Sequence, residues 1–253
     1  MIPTGSYWLD EQLGGGWPAG KVSEIYGDPG AGTTTLALHA LAEATHWGPC
    51  LYLEWGNSFD YHYAADMGVD LTNLIVATDL SILRIMNDSM PLVVIDQPWV
   101  PPGLIPENQT VLLVSQKSSH VKTATVRVRL REDGVWHGGQ TVSVQITQNG
   151  DNPVPLGYGH LDLHYGKGFS RVEEVLALSL DRGILQRRGT HYFLAEMHVA
   201  SSWEKVVRRM QDNPDGLIDL EQRLRNLALD TLALKRMMEV DSREPSTLPL
   251  SQT

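Results

Sequence analysis

Cysteine is almost missing. Cys50 is the only one in 253 residues, which excludes an internal disulfide and a cysteine zinc cage and suits a reducing compartment. Long apolar runs are missing too. Pro91–Ile95 and Val111–Val114 fall far short of the roughly 20 residues that cross a bilayer. The first twenty residues lack the basic start and apolar stretch of a secretory signal. Basic residues are scarce: 20 Lys and Arg stand against 30 Asp and Glu, a formal net charge of −10. Binding to a phosphate backbone relies on clustered Lys and Arg, so a nucleic-acid binder of this balance needs a strongly local basic patch. The densest basic spots are Arg127, Arg129 and Arg131, then Arg187 and Arg188, then Arg208 and Arg209, and each reads as solvated surface. No repeat of solenoid length is visible. The expectation is a soluble, cytoplasmic chain with no membrane partner and weak or indirect contact with DNA.

What remains is ordinary globular composition, 42% hydrophobic and 20% charged, in a chain long enough to bury a core. Apolar runs rich in β-branched residues predict strands at Val22–Tyr26, Cys50–Leu53, Leu74–Val76, Leu92–Ile95 and Val111–Val114. Thr34–His46, Phe59–Met67 and Leu80–Met86 carry helical patterns between the first four. That alternation indicates an α/β unit with a mainly parallel sheet. From Thr123 the pattern becomes polar–apolar alternation at Thr123–Leu130, Gln140–Thr147 and His160–Tyr165, read as antiparallel strands extending the same sheet. Ser170 with Glu173 forms a capping-box pattern before a helix whose apolar stripe is Val172, Val175, Leu176 and Leu180. A short strand at His191–Leu194, a helix over Ser201–Met210 and a long periodic stretch over Leu217–Met238 follow. The expected domains are 1–168, a small α+β domain over 169–240, and a frayed tail over 241–253.

The sharpest local signal is Gly27-Asp28-Pro29-Gly30-Ala31-Gly32-Thr33-Thr34-Thr35, after a strand and opening a helix. Glycines let the backbone turn its amides toward one point, and the helix N-terminus adds positive potential, which is how phosphate is cradled. Thr34 is the candidate Mg²⁺ ligand. The full pattern needs Lys after the second glycine, and that position is Thr33. A bland glycine turn between strand and helix remains open on this segment alone. Leu92-Val93-Val94-Ile95-Asp96 is an apolar strand ending in Asp, the place of the Mg²⁺-linked acid in P-loop ATPases.

A longer likeness joins these pieces. Ile2-Pro3-Thr4-Gly5-Ser6-Tyr7-Trp8-Leu9-Asp10, Leu13-Gly14-Gly15-Gly16, Pro18-Ala19-Gly20-Lys21 and Glu24-Ile25-Tyr26-Gly27 closely resemble the opening of the bacterial RecA recombinase core. The resemblance continues at Phe59–Ala64, Met67–Leu74, Tyr165–Phe169, Asp181–Leu185 and Asp212–Pro214, covering most of Ile2 to Leu229. It implies a RecA-like P-loop ATPase core, a mainly parallel twisted sheet with an antiparallel extension and helices on both faces. It further implies that Asp60 and Tyr63 line an adenine, that Gln116 senses the γ-phosphate, and that ATP or ADP with Mg²⁺ on Thr34 and Asp96 is the cofactor.

The departures from that family are concerted. The phosphate lysine is Thr33, and the water-activating glutamate aligns with Gly56, with Glu54 two residues away as a possible substitute. Two interface lysines align near Asn149 and Asp151. Loss of charge-assisted contacts to the γ-phosphate removes stabilisation that phosphoryl transfer needs, so any nucleotide is expected to be held weakly, with none tightly bound. Both DNA-binding loops look cut down to connectors, Gln97–Ser115 and Lys117–Lys122. The match begins at Ile2, so the helix through which RecA subunits grip each other is expected to be missing.

Smaller features have bland readings. His160, Asp162 and His164 alternate on one strand face, a possible metal arrangement, but a solvated face is favoured. Trp55, Trp99 and Trp136 are read as core or interface packing rather than base-stacking rings, with Trp99 the best exposed partner anchor. The function favoured by all this is a non-catalytic RecA-like accessory of recombination or repair. Its partner would be a RecA-type filament, which it could cap through the Leu36–Leu41 region, or a repair polymerase. The alternatives are an active ATP-dependent single-strand-binding recombinase and a structural scaffold subunit.

Overall fold

The computed structural model describes residues 1–85, 90–106, 108–118, 121–150 and 157–241. Expectations about Met86, Asp151, His120 and the tail beyond 241 lie outside the described residues. The chain divides into two compact units, Met1–Glu174 and Val175–Thr253.

The first unit is built on one nine-stranded sheet in the order β3-β2-β4-β5-β1-β6-β7-β8-β9. Here β1 is Val22–Gly27, β2 Cys50–Glu54, β3 Leu74–Ala77, β4 Val93–Asp96 and β5 Val111–Ser115. These five run parallel, so each connection must cross over the sheet, and the chain uses helices and short turns to do it. The remainder is β6 Ala124–Trp136, β7 Gly139–Asn149, β8 Tyr158–His164 and β9 Gly168–Phe169. β6 pairs parallel with β1, and only from the β6–β7 pair onward is the sheet antiparallel. The alternation in Thr123–Leu130 fixes a half-buried strand but says nothing about its direction. The crossing from β5 to β6 over β1 sets that.

Alternation along the parallel strands builds two cores. Leu92, just before β4, and Val94 within it join one cluster, and Val93 and Ile95 join the other. The first is covered by α1 (Tyr7–Leu13) and α2 (Thr33–Thr45). Ser6 caps α1, accepting from the Leu9 amide at 3.1 Å, and Gly14 closes it in the left-handed region at φ 77°. α2 buries Leu36, Ala37, Leu38, Ala40, Leu41 and Ala44, nearly its whole circumference, which is why it reads as apolar rather than amphipathic. Burial on this scale is worth about 1.5–3 kcal/mol per leucine. Because Leu36, Leu38 and Leu41 all belong to this core, the Leu36–Leu41 stretch offers little surface for a partner filament to accept.

The opposite face is covered by 3-10 helices at Leu80–Arg84 and Pro102–Leu104, through Leu83, Ile82 and Leu104. The α-helix expected over Leu80–Met86 is this 3-10 turn. Asp79 accepts from the Ser81 amide and hydroxyl, a local bond pattern that ties the chain into a tight turn. α3, Tyr61–Asp66, starts at its cap Asp60 rather than at Phe59.

α4 spans Arg171–Asp181. Ser170 Oγ accepts from the Glu173 amide at 3.3 Å, whereas the Glu173 carboxylate meets His164 Nε2 at 3.0 Å. The second unit holds a three-stranded antiparallel sheet of β10 Leu185–Arg188, β11 His191–Leu194 and β12 Met197–Ala200, with α5 Trp203–Gln211 and α6 Pro214–Asp241. Pro214 opens α6 where a missing amide costs nothing, and Asn213 Oδ1 accepts from the Gly216 amide at 3.1 Å.

Candidate functional site

β1, β2, β4 and β5 all end at one edge of the sheet, the side where open α/β sheets bind ligands. A cavity of about 740 Å³ lies there. Register brings its walls together: Glu54 at the end of β2 pairs with Asp96 at the end of β4, and Tyr26 of β1 pairs with Ser115 of β5.

The glycine loop leaves β1 under tight constraint. A Cβ on Gly27 would lie 2.1 Å from the Leu130 carbonyl oxygen, so β6 runs too close for any side chain. Gly30 and Gly32 sit in the left-handed region at φ 83° and 85°. A Cβ on Gly32 would press on Phe169 and Leu163, so this glycine also serves packing. Gln140 Nε2 donates to the Gly30 carbonyl at 2.6 Å and ties the loop to β7. Gly32 is the N-cap of α2 and offers no side chain to its first amides, so they remain available to an anion.

Across the cavity, Asp96 Oδ2 accepts from Thr34 Oγ1 at 3.0 Å and from the Tyr52 hydroxyl at 2.6 Å. Burial, then the Asp96 charge, push the Tyr52 phenol far above its ordinary pKa, so it stays a donor. Thr34 and Asp96 are hard oxygen ligands of the kind Mg²⁺ takes alongside phosphate. Among the described residues no three His, Cys, Asp or Glu side chains gather as a metal cage, so such an ion would need a ligand's phosphates to complete its shell. The residues therefore fit a Mg²⁺–nucleotide better than a bare ion.

Other groups are already engaged. Glu54 is buried, and its Oε2 accepts from the Ser58 amide and hydroxyl. Asp60 Oδ1 accepts from the Tyr63 amide at 2.9 Å as the α3 cap, and Tyr63 shares a 2.9 Å hydroxyl contact with Thr35. Gly56 lies at φ 87° with open space where a Cβ would be.

The cavity gathers Gly27, Asp28, Pro29, Gly30, Thr33, Thr34, Glu54, Asp60, Tyr63, Asp96 and Gln116. Ala31, Gly32 and Thr35 stand outside its lining. Ala31 is fully buried, and Thr35 turns to Tyr63. Sequence reasoning missed Tyr52, Ser58, Gln97 and the cavity role of Lys117. Tyr52 had one visible signal: it lies two residues before Glu54 on the same strand.

The His160–His164 face is solvated, as favoured. Leu161 and Leu163 are buried, while the polar three pair separately with Asp133, Thr141 and Glu173. The tryptophans divide between solvent and packing. Trp55 is 68% exposed and so is not core, and Trp99, read as the exposed anchor, is 69% exposed. Trp136 packs edge-on against His164 at 5.0 Å.

The family model for the RecA N-terminal domain matches residues 1–97, which hold the loop, Glu54, Asp60, Tyr63 and Asp96. The RecA protein of Acholeplasma laidlawii is 26% identical over 88% of this chain and 86% of its own length. That of Acidiphilium cryptum is 27% identical over 89% and 83%, and that of a Picosynechococcus species 25% identical over 91% and 84%. Over most of its length the chain is similar to RecA proteins. Within this RecA-like core Thr33 lines the cavity, whereas Gly56, between the lining residues Trp55 and Ser58, does not. Among the described residues no helix is long and apolar enough to cross a membrane.

Proposed function

We propose that this RecA-like chain serves DNA recombination or repair by binding a nucleotide weakly without hydrolysing it, as an accessory to another protein. One observation carries the reading. The cavity keeps the glycine loop and the Thr34–Asp96 pair, yet Thr33 stands where the resemblance puts the phosphate lysine and Gly56 where it puts the water-activating carboxylate. ATP or ADP with Mg²⁺ is the ligand of this reading. A RecA-type filament or a repair polymerase is the partner, met through exposed surface such as Trp99.

Titration of the chain with ATP and ADP tests the first half. Binding is expected in roughly the high-micromolar to millimolar range and only with Mg²⁺, since backbone amides hold phosphate without the lysine's charge. Tyr63→Ala should weaken it about tenfold, through loss of the ring and of the contact to Thr35. No binding by either nucleotide at millimolar concentration would leave a scaffold role instead.

Single-stranded DNA should bind poorly, with a dissociation constant above about 10 μM at physiological salt. The connector 97–110 holds no Lys or Arg. It is also pinned to the sheet: Gln97 Nε2 donates to the Glu54 carbonyl at 3.0 Å, and Val100 is buried. Tight binding with a steep salt slope in a filter or anisotropy assay would overturn this.

A further inference from the structure

The charge around the cavity is lopsided. Asp28, Glu54, Asp60 and Asp96 line it, and the lone cation among its described lining residues is Lys117. A polyphosphate entering four carboxylates meets repulsion that Mg²⁺ and loop amides only partly offset, so a positive side chain is needed where Thr33 supplies none. We propose that Lys117 takes over the role of the missing loop lysine and pairs with the phosphates of the bound nucleotide. This rests on reading the cavity as a nucleotide site.

Three observations carry it. Register sets Ser115 beside Tyr26, so the chain leaving β5 toward Lys117 runs next to the chain leaving β1 into the glycine loop. Ser115 Oγ donates to the Lys117 carbonyl at 2.7 Å, which fixes the backbone from which the side chain extends. Lys117 is exposed, and among the described residues no ion pair holds it. The neighbouring cation Arg127, by contrast, is committed to buried Glu24 at 3.1 Å and does not line the cavity. A lysine ammonium is a point charge on a flexible stem and needs no fixed fork geometry to meet a phosphate.

The test is binding of fluorescent N-methylanthraniloyl ATP and ADP, with Mg²⁺, to wild type, Lys117→Met, Lys117→Arg and Lys122→Met. Lys122 lies in the same loop, outside the cavity lining, and its variant makes the same change in net charge. Lys117→Met should weaken binding about tenfold or more, the size of one charge-assisted contact. Lys117→Arg should keep most of it, and Lys122→Met should bind like wild type. In the Lys117→Met background, Thr33→Lys should restore affinity by returning the charge to the loop. Wild-type binding with equal affinity in Lys117→Met, or an equal loss in Lys122→Met, would overturn the role of Lys117 and leave the nucleotide site standing. Failure of wild type to bind either nucleotide would overturn both.

Discussion

Purified chain should turn over ATP at no measurable rate, with or without single-stranded DNA. Typical enzymes run at roughly 1 s⁻¹ or faster, and each missing transition-state group costs about 10²–10³ in rate. Two are missing. Thr33 offers a hydroxyl where a charge is needed, and position 56 has no side chain to hold a water. Glu54 lines the cavity, and its Oε2 takes two donors from Ser58, which hold this carboxylate as a brace of the loop. Nor is position 56 simply an empty slot. Its backbone lies at φ 87°, a conformation that costs a non-glycine residue about 1 kcal/mol or more, so Gly56→Glu alone would strain the turn before it could help. Thr33→Lys should therefore tighten nucleotide binding about tenfold while leaving turnover absent. A coupled ATPase assay reads both. Multiple turnovers near 1 s⁻¹ by wild type, or by Thr33→Lys alone, would show that Glu54 or another group activates water.

The parallel half of the sheet was legible because its strands are short, β-branched and bounded by turns, so composition and periodicity agree. Val93–Asp96 and Val111–Ser115 needed nothing from the rest of the chain to be recognised. The second unit was harder. Leu185–Arg188 is Leu-Gln-Arg-Arg, and its strand character comes from pairing with His191–Leu194, not from its own residues. Leu80–Arg84 reads as helix on apolar spacing, yet the Asp79 side chain tightens it to 3-10. Strand pairing decides the first place and a local side-chain bond the second.

The site divides the same way. The loop glycines, Thr34 and Asp96 stand in contiguous motifs, and their spacing carries the chemistry. The supports come from far away in sequence. Gln140 reaches back 110 residues to hold Gly30, and Tyr52 reaches 44 residues to Asp96. Lys117 sits in what reads as a bare connector, and only the β1–β5 register brings it to the loop. Trp99, in its proline-rich connector, reads as an exposed anchor and is exposed, whereas nothing in the residues around Trp55 signals that its ring also lies in solvent.

Stability should respond to pH through two buried groups that oppose each other. The Glu174 carboxylate caps α1, accepting from Ser6 Oγ at 2.8 Å and from the Tyr7 and Trp8 amides at 3.1 and 2.6 Å. Those donors favour the ion, but burial outweighs them and raises its pKa to about 7. Between about 4.5 and 7 the folded chain thus holds a proton that the unfolded chain has lost, and stability falls as pH rises through that window. Asp10, also raised by burial, adds to the same sign. His39 on α2 acts the other way. Its Nε2 accepts from the Phe169 amide at 3.0 Å, and burial lowers its pKa to about 4. Between about 4 and 6.5 the unfolded chain holds the extra proton, so stability falls as pH drops. Each shift is worth roughly 3 kcal/mol across its window. Wild type should therefore show a nearly flat urea midpoint from pH 4.5 to 6.5. Glu174→Gln should uncover the His39 slope and lose stability on acidification below pH 6.5. His39→Gln, whose amide oxygen can still accept from Phe169, should uncover the opposite slope and lose stability as pH rises toward 7. If both variants track wild type in parallel, neither group titrates with folding, and the three donors to Glu174 then just offset its burial.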